Sequence, residues 1–145
     1  MKALRFFTVY GPFGRPDMAC FIFAKNIAKG LPVQLFGEGK MERDFTYIDD
    51  IVAGILAAID SKASYATYNL GNSSPVSISY LVDLLEIYLG KKAIRNHLPY
   101  PKGEVVKNYA DITKAKQELG YFPKTPLEKG VEAFVLWGKK YHMFA

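Results

Sequence analysis

Hydrophobic positions come in short bursts along this chain, and the spacing within each burst predicts an element. Leu4-Arg5-Phe6-Phe7-Thr8-Val9-Tyr10 is β-prone and stops at Gly11-Pro12, so a strand running into a turn is expected over 4–10. A Gly- and Pro-rich loop follows to Asp17, which is placed to cap a helix from Met18 to about Lys29, closed by Gly30. Val33-Gln34-Leu35-Phe36 reads as a short strand ended by Gly37-Glu38-Gly39. Residues 44–48 read as a short extended piece. Asp49 then caps a helix from Asp50 to about Ser61, in which Ile51, Val52, Ile55, Leu56 and Ile59 recur at helical spacing. Thr67-Tyr68-Asn69-Leu70 predicts a strand, and Ser77 opens an amphipathic helix through Leu81, Leu84, Leu85 and Tyr88 to Gly90. A Pro-interrupted extended stretch covers 93–104. Asp111 begins a helix to about Leu119, ended by Gly120, and Pro126 at a first helical position opens the last helix, to about Tyr141.

Strands thus alternate with helices, which makes the class α/β. The strands with crossover helices are too few for a complete doubly wound sheet, which needs about six. The 145 residues suit one domain, and a chain of this length buries about 70% of its unfolded surface. Half the residues are hydrophobic and 23% are charged, which excludes disordered and membrane compositions. The net charge of +5 comes from scattered Lys and Arg, with short pairs at Lys91-Lys92 and Lys139-Lys140. That describes a solvated surface with a mild positive field, which also suits a small anionic ligand, rather than the basic stripe of a nucleic-acid binder. The single cysteine, Cys20, rules out an intramolecular disulfide and reads as a buried apolar residue. The first residues carry no signal-like apolar run, and the longest apolar stretch, 51–59, is too short to span a bilayer. The expected location is the cytoplasm.

Two segments could carry chemistry. The loop Thr8-Val9-Tyr10-Gly11-Pro12-Phe13-Gly14-Arg15-Pro16-Asp17 lies beyond a strand's carboxyl end, where open α/β sheets bind ligands, and Arg15 could fork onto a carboxylate or phosphate. Composition alone leans toward an ordinary loop with an exposed Arg. The segment Gly37 to Asp50 superficially resembles a phosphate loop but lacks the Walker spacing. Its adjacent Asp49 and Asp50 do not face each other on a helix, so helix capping and dipole compensation explain them better than an acid–base dyad. His97 and His142 are far apart with no carboxylate at ligand spacing, so no metal site is expected, and no Gly-x-x-Gly-x-x-Gly follows a strand.

The string from Leu4 to Ala19 resembles the extended short-chain dehydrogenase/reductase sugar epimerases, within them the UDP-glucuronate 4-epimerase type. Three more strings agree in order: Gly37-x-Gly39-Lys40-Met41-x-Arg43-Asp44-Phe45-Thr46-Tyr47-Ile48-Asp49-Asp50, then Tyr68-Asn69-Leu70-Gly71, then Tyr109-Ala110-Asp111-x-x-Lys114-Ala115-x-x-x-Leu119-Gly120-Tyr121. The resemblance covers essentially the whole chain. It implies an N-terminal Rossmann half that binds NAD and a C-terminal half that binds the UDP-sugar. In such enzymes a Tyr removes the sugar 4-hydroxyl proton while the C4 hydride passes to NAD, and the rotated 4-keto intermediate is reduced from its other face.

This chain would then be the substrate-binding C-terminal domain over 1–145, beginning after the catalytic Tyr-x-x-x-Lys helix, with a few orphan Rossmann strands and several helices. The resemblance places Thr8 beside the sugar and diphosphate, Arg15 at the sugar carboxylate, and Arg43 at the diphosphate. It lays the backbone of Val33 to Leu35 along the uracil, and Glu104 where the family has an Asp near the ribose or diphosphate. Phe7 and Tyr10 fall near the nicotinamide, mostly as packing. The one Tyr-x-x-x-Lys present, Tyr88 to Lys92, is interrupted by Gly90, which should end the helix. No catalytic residue is therefore expected here, nor NAD bound to this chain alone, and the fragment should be inactive. A UDP-glucose 4-epimerase type and a stand-alone UDP-sugar-binding module are the alternatives. The expected partners are a UDP-sugar and a second copy, joined through sheet edges or apolar faces that lack their Rossmann neighbours. Nucleic acid and membrane are not expected partners.

Overall fold

The computed structural model describes residues 1–144. Its elements run β1 (Lys2–Phe6), β2 (Thr8–Tyr10), α1 (Ala19–Lys29), β3 (Pro32–Phe36), β4 (Glu42–Arg43), β5 (Phe45–Tyr47), α2 (Ile48–Asp60), β6 (Ala66–Leu70), β7 (Val76–Ser77), α3 (Ile78–Leu89), β8 (Ile94–Leu98), α4 (Thr113–Leu119) and α5 (Leu127–Lys140). The strands form four separate pairs. β1 with β6, β2 with β5 and β3 with β8 are parallel, and β4 with β7 is antiparallel. This is a mixed α/β architecture of short strands and helices.

Local chemistry explains most boundaries. Ser77 caps α3, its hydroxyl accepting from the Tyr80 amide at 3.2 Å, and Gly90 ends it with φ 71°. Gly30 and Gly120 close α1 and α4 in the same left-handed conformation, which glycine adopts without a Cβ penalty. Three expectations need correction. The strand expected over 4–10 is two strands, because the chain changes partner at Phe7, pairing with β6 before it and with β5 after it. Asp17 does not cap α1; the cap is Met18, without a side-chain bond, and the Asp17 carboxylate is held by Arg15. Nor does Asp49 cap α2, whose cap is Tyr47, again without a side-chain bond. Asp49 and Asp50 sit in the first turn, where carboxylates suit the helix dipole. Asp50 also reaches across the fold to accept from the amides of Lys124 and Thr125, both at 3.0 Å.

Apolar burial gathers in two clusters. The larger packs α1, α3 and α5 around β3, with Phe21, Ile27, Val33, Leu35, Leu81, Val131 and Phe134 inside. Phe21, Phe134 and Phe144 meet with ring centroids 5.5–6.1 Å apart. Gly138 makes room for this contact, since a Cβ there would lie 2.1 Å from the Phe144 ring. Cys20 belongs to this cluster, and burial pushes its thiol well above the ordinary range, so it is inert packing. The smaller cluster joins β6, α2 and α4 through Ile51, Tyr68, Leu70, Ala115 and Tyr121.

Asp44 ties three distant segments together. Its fully buried carboxylate accepts from the amides of Asn72, Ser73 and Ala110 at 2.8–3.0 Å. The approach depends on Gly71, where a Cβ would stand 2.4 Å from the Ala110 Cβ and 2.7 Å from the Asp44 carboxylate. Three of the four strings that carry the family resemblance therefore converge on one carboxylate.

Candidate functional site

A cleft of about 680 Å³ opens between α1, β3 and the segment after β8. One wall comes from α1, whose Ala19, Ile22, Phe23 and Asn26 follow i, i+3, i+4, i+7 spacing and so share a face. Another wall comes from β3. Its strict alternation sends Val33 and Leu35 into the core and leaves Pro32, Gln34 and Phe36 on the cleft. The Asn26 side-chain amide donates to the Pro32 carbonyl at 2.9 Å and fixes the angle between these walls. An apolar slot with a few polar groups at its edges is the usual form of a small-molecule site.

Polar groups gather at one end. Thr8 enters from β2, held by its own amide, which donates to the Asp44 carbonyl at 3.1 Å. Arg43 enters from β4 with its side chain only 20% exposed. Its Nη1 donates to the carbonyls of Glu42 at 2.9 Å and Val105 at 2.8 Å, and its Nη2 lies 3.3 Å from the Glu104 carboxylate. The 101–108 segment is stitched against β4 by the Glu42 amide on the Val106 carbonyl and the Asn108 amide on the Glu42 carbonyl.

The structure thus brings Thr8, Arg43 and Glu104 to one cleft. Val33 and Leu35 are not among the lining residues, and their side chains are fully buried in the core. Arg15 is not among the lining residues. It sits on the nearby loop, bonded through Nε to the Asp17 carboxylate at 3.0 Å, and Asp17 does line the cleft. The hydrogen bond from Arg15 holds the Asp17 carboxyl below its usual range. Phe7 and Tyr10 are outside the lining. The Tyr10 ring packs edge-on against Phe45 and Tyr47, its hydroxyl faces the Leu127 carbonyl at 3.4 Å, and burial raises its pKa strongly. Phe7 packs against the smaller cluster. Among the described residues no group of His, Cys, Asp and Glu could hold a metal ion, and no helix is long and apolar enough to cross a membrane.

Gln34, Phe36, Phe23 and Asn26 went unnoticed in the sequence as cleft residues. The signals were there: alternation along β3 and helical spacing along α1. What was missing was the relative placement of the two elements.

Residues 1–71 match the NAD dependent epimerase/dehydratase family. UDP-glucuronate 4-epimerase 1 of Arabidopsis thaliana is 47% identical over 98% of this chain and 37% of its own length. The structure of UDP-glucuronic acid 4-epimerase from Bacillus cereus, in complex with UDP-glucuronic acid and NAD, superposes with a TM-score of 0.88 at 40% identity, over 95% of this chain and 45% of that one. UDP-glucose 4-epimerase of Thermotoga maritima, with UDP-glucose, gives 0.89 at 33% identity over 97% and 46%. The chain spans less than half the length of these relatives. It is related, along nearly its whole length, to the C-terminal portion of an extended short-chain dehydrogenase/reductase epimerase of that family.

Proposed function

We propose that residues 1–145 form the nucleotide-sugar-binding domain of an NAD-dependent epimerase that interconverts UDP-glucuronate and UDP-galacturonate. The observation that carries this reading is the cleft itself, which joins an apolar slot to a polar end built from Thr8, Arg43 and Glu104. In this reading the uracil ring lies along the backbone of β3 between Phe36 and the α1 wall. Arg43 donates to the diphosphate, and Thr8 offers its hydroxyl where sugar and diphosphate meet. Arg15 turns from Asp17 to the sugar carboxylate. A guanidinium suits these roles because its planar fork matches carboxylate and phosphate oxygens. NAD, when bound in a full-length enzyme, accepts and returns the hydride.

In this reading the chain alone is inactive and does not hold NAD. Its one Tyr-x-x-x-Lys pair is unfit for proton transfer: Gly90 ends α3 between Tyr88 and Lys92, and Lys92 is bonded to Glu86 at 2.7 Å. Self-association belongs to the same proposal. Phe6 on β1 and Val52, Leu56 and Ile59 along one face of α2 are exposed apolar residues, and β1 is paired on one edge only. Light scattering that shows a clean monomer at high concentration would sink that part. Calorimetric titration with UDP, UDP-glucuronate, NAD and DNA tests the rest. UDP and UDP-glucuronate should bind, and Arg43→Ala should weaken both by about tenfold or more, the value of a lost charge-assisted hydrogen bond. UDP binding unchanged by Arg43→Ala removes the site assignment, and epimerase turnover by this chain alone removes the inactivity. A UDP-glucose type is the second reading, motivated by the Thermotoga maritima structure; preference for UDP-glucose over UDP-glucuronate, insensitive to Arg15→Ala, would favour it.

A further inference from the structure

The cation best placed to meet a diphosphate already has an anion on it. Arg43 and Glu104 both line the cleft, and the Glu104 carboxylate lies 3.3 Å from Nη2 of Arg43. Arg43 does not need Glu104 to hold its position. Its Nη1 is anchored by the Glu42 and Val105 carbonyls at 2.9 and 2.8 Å, with the Val106 carbonyl at 3.5 Å. Positioning and charge neutralisation are therefore separate: backbone oxygens aim the guanidinium, and one mobile-length carboxylate takes up the Nη2 edge. The Glu104 side chain is 55% exposed against 20% for Arg43, so the carboxylate is the partner that can swing out into water. It sits just past a turn at Gly103, which has φ 83°, closed by the Glu104 amide donating to the Pro101 carbonyl at 3.3 Å.

We propose that Glu104 is a carboxylate latch on Arg43, a specificity-determining residue that an incoming diphosphate must displace. The inference rests on reading the cleft as the UDP-sugar site. The latch lowers affinity for every ligand that uses Arg43. It leaves ligands that do not use Arg43, such as the bare nucleoside, unaffected, and so sets how far binding gains from the diphosphate. With no ligand present it leaves no uncompensated cation at a partly buried position, where an unpaired charge is costly.

The test uses the full chain, with UDP and uridine as probes in calorimetric titration at fixed salt. Glu104→Gln keeps size and shape but removes the charge. It should tighten UDP by about threefold to fivefold, the range of a partly exposed ion pair, and raise the UDP-to-uridine affinity ratio by the same factor. In an Arg43→Ala background the same substitution should give no gain, which separates a latch from a general change in surface charge. Weaker UDP binding by Glu104→Gln would make Glu104 a ligand contact and overturn the latch. So would an equal change for UDP and uridine, or a gain that survives Arg43→Ala. UDP binding to the wild type with no gain in the variant overturns the latch alone. No UDP binding to either protein overturns the site reading as well.

Discussion

Two apolar layers of this molecule use similar sequence to different ends. α3 and α2 are both hydrophobic nearly all round. α3 lies between α1 and α5 and buries Leu81, Val82, Leu84, Leu85 and Glu86, with Ile87 exposed at its outer edge. α2 buries Ile51, Gly54 and Ala58 against the smaller cluster and leaves Val52, Leu56 and Ile59 exposed on its other face. A helix apolar on all sides is normally buried on all sides. The contrast teaches that apolar periodicity records the surface a helix is suited to cover, and only the neighbours decide how much of it is covered. The α1–α3–α5 layer covers most of its apolar surface with its own elements, whereas the β1–β6–α2 layer leaves one apolar face of α2 exposed.

The largest effect expected from that contrast is in the packed layer. Phe134→Ala should cost about 3–5 kcal/mol in urea unfolding, because Phe134 is fully buried among aromatic rings that cannot close over the cavity. Next is the junction. Asp44→Ala strands three amides, and a loss of about 3 kcal/mol in a single cooperative transition is expected. Two separate transitions would show instead that the layers unfold independently.

A smaller effect should follow pH. Burial pushes the Glu86 carboxyl up, but hydrogen bonds from Lys92, the Ala93 amide and Arg95 more than offset it, leaving it at about 2 against an ordinary 4.5. A carboxyl depressed in the folded state stabilises the fold above its unfolded value and loses that contribution as it protonates. Stability should therefore be steady above pH 4.5 and fall between there and about pH 2. Glu86→Gln should flatten that fall, as seen in thermal melts across the range; an unchanged slope would assign the acid sensitivity elsewhere. The smallest stability effect is expected on the exposed face. Leu56→Lys and Ile59→Lys should each change unfolding free energy by no more than about 0.5 kcal/mol while shifting sedimentation toward monomer. A loss of about 2 kcal/mol or more would mean the face is covered within the chain, and the comparison would break.

Part of the candidate site was legible in residues that announce their chemistry. Thr8, Arg43 and Glu104, which the motifs single out, line one cleft. Two motif carboxylates were not legible in role: Asp44 stands in its string without an assigned task and Asp50 reads as a helix-dipole residue, and both prove to be acceptors for amides 28 to 75 residues away. No local rule could anticipate that, because the partners are backbone groups without sequence identity.

The sequence by itself determined where the helices lie and several of their ends, through apolar spacing, Ser77, and the glycines at 30, 90 and 120. It also carried the family resemblance, through four ordered strings. Only the tertiary structure decided which strands pair, why the chain switches partner at Phe7, and that Gln34 rather than Leu35 faces the cleft. It also decided that Glu104 rests on Arg43. The physical reason is range. Caps and periodicity act within about one or two helical turns, while Arg43 and Glu104 meet 61 residues apart, and only the packing of β4 against the segment after β8 brings them together.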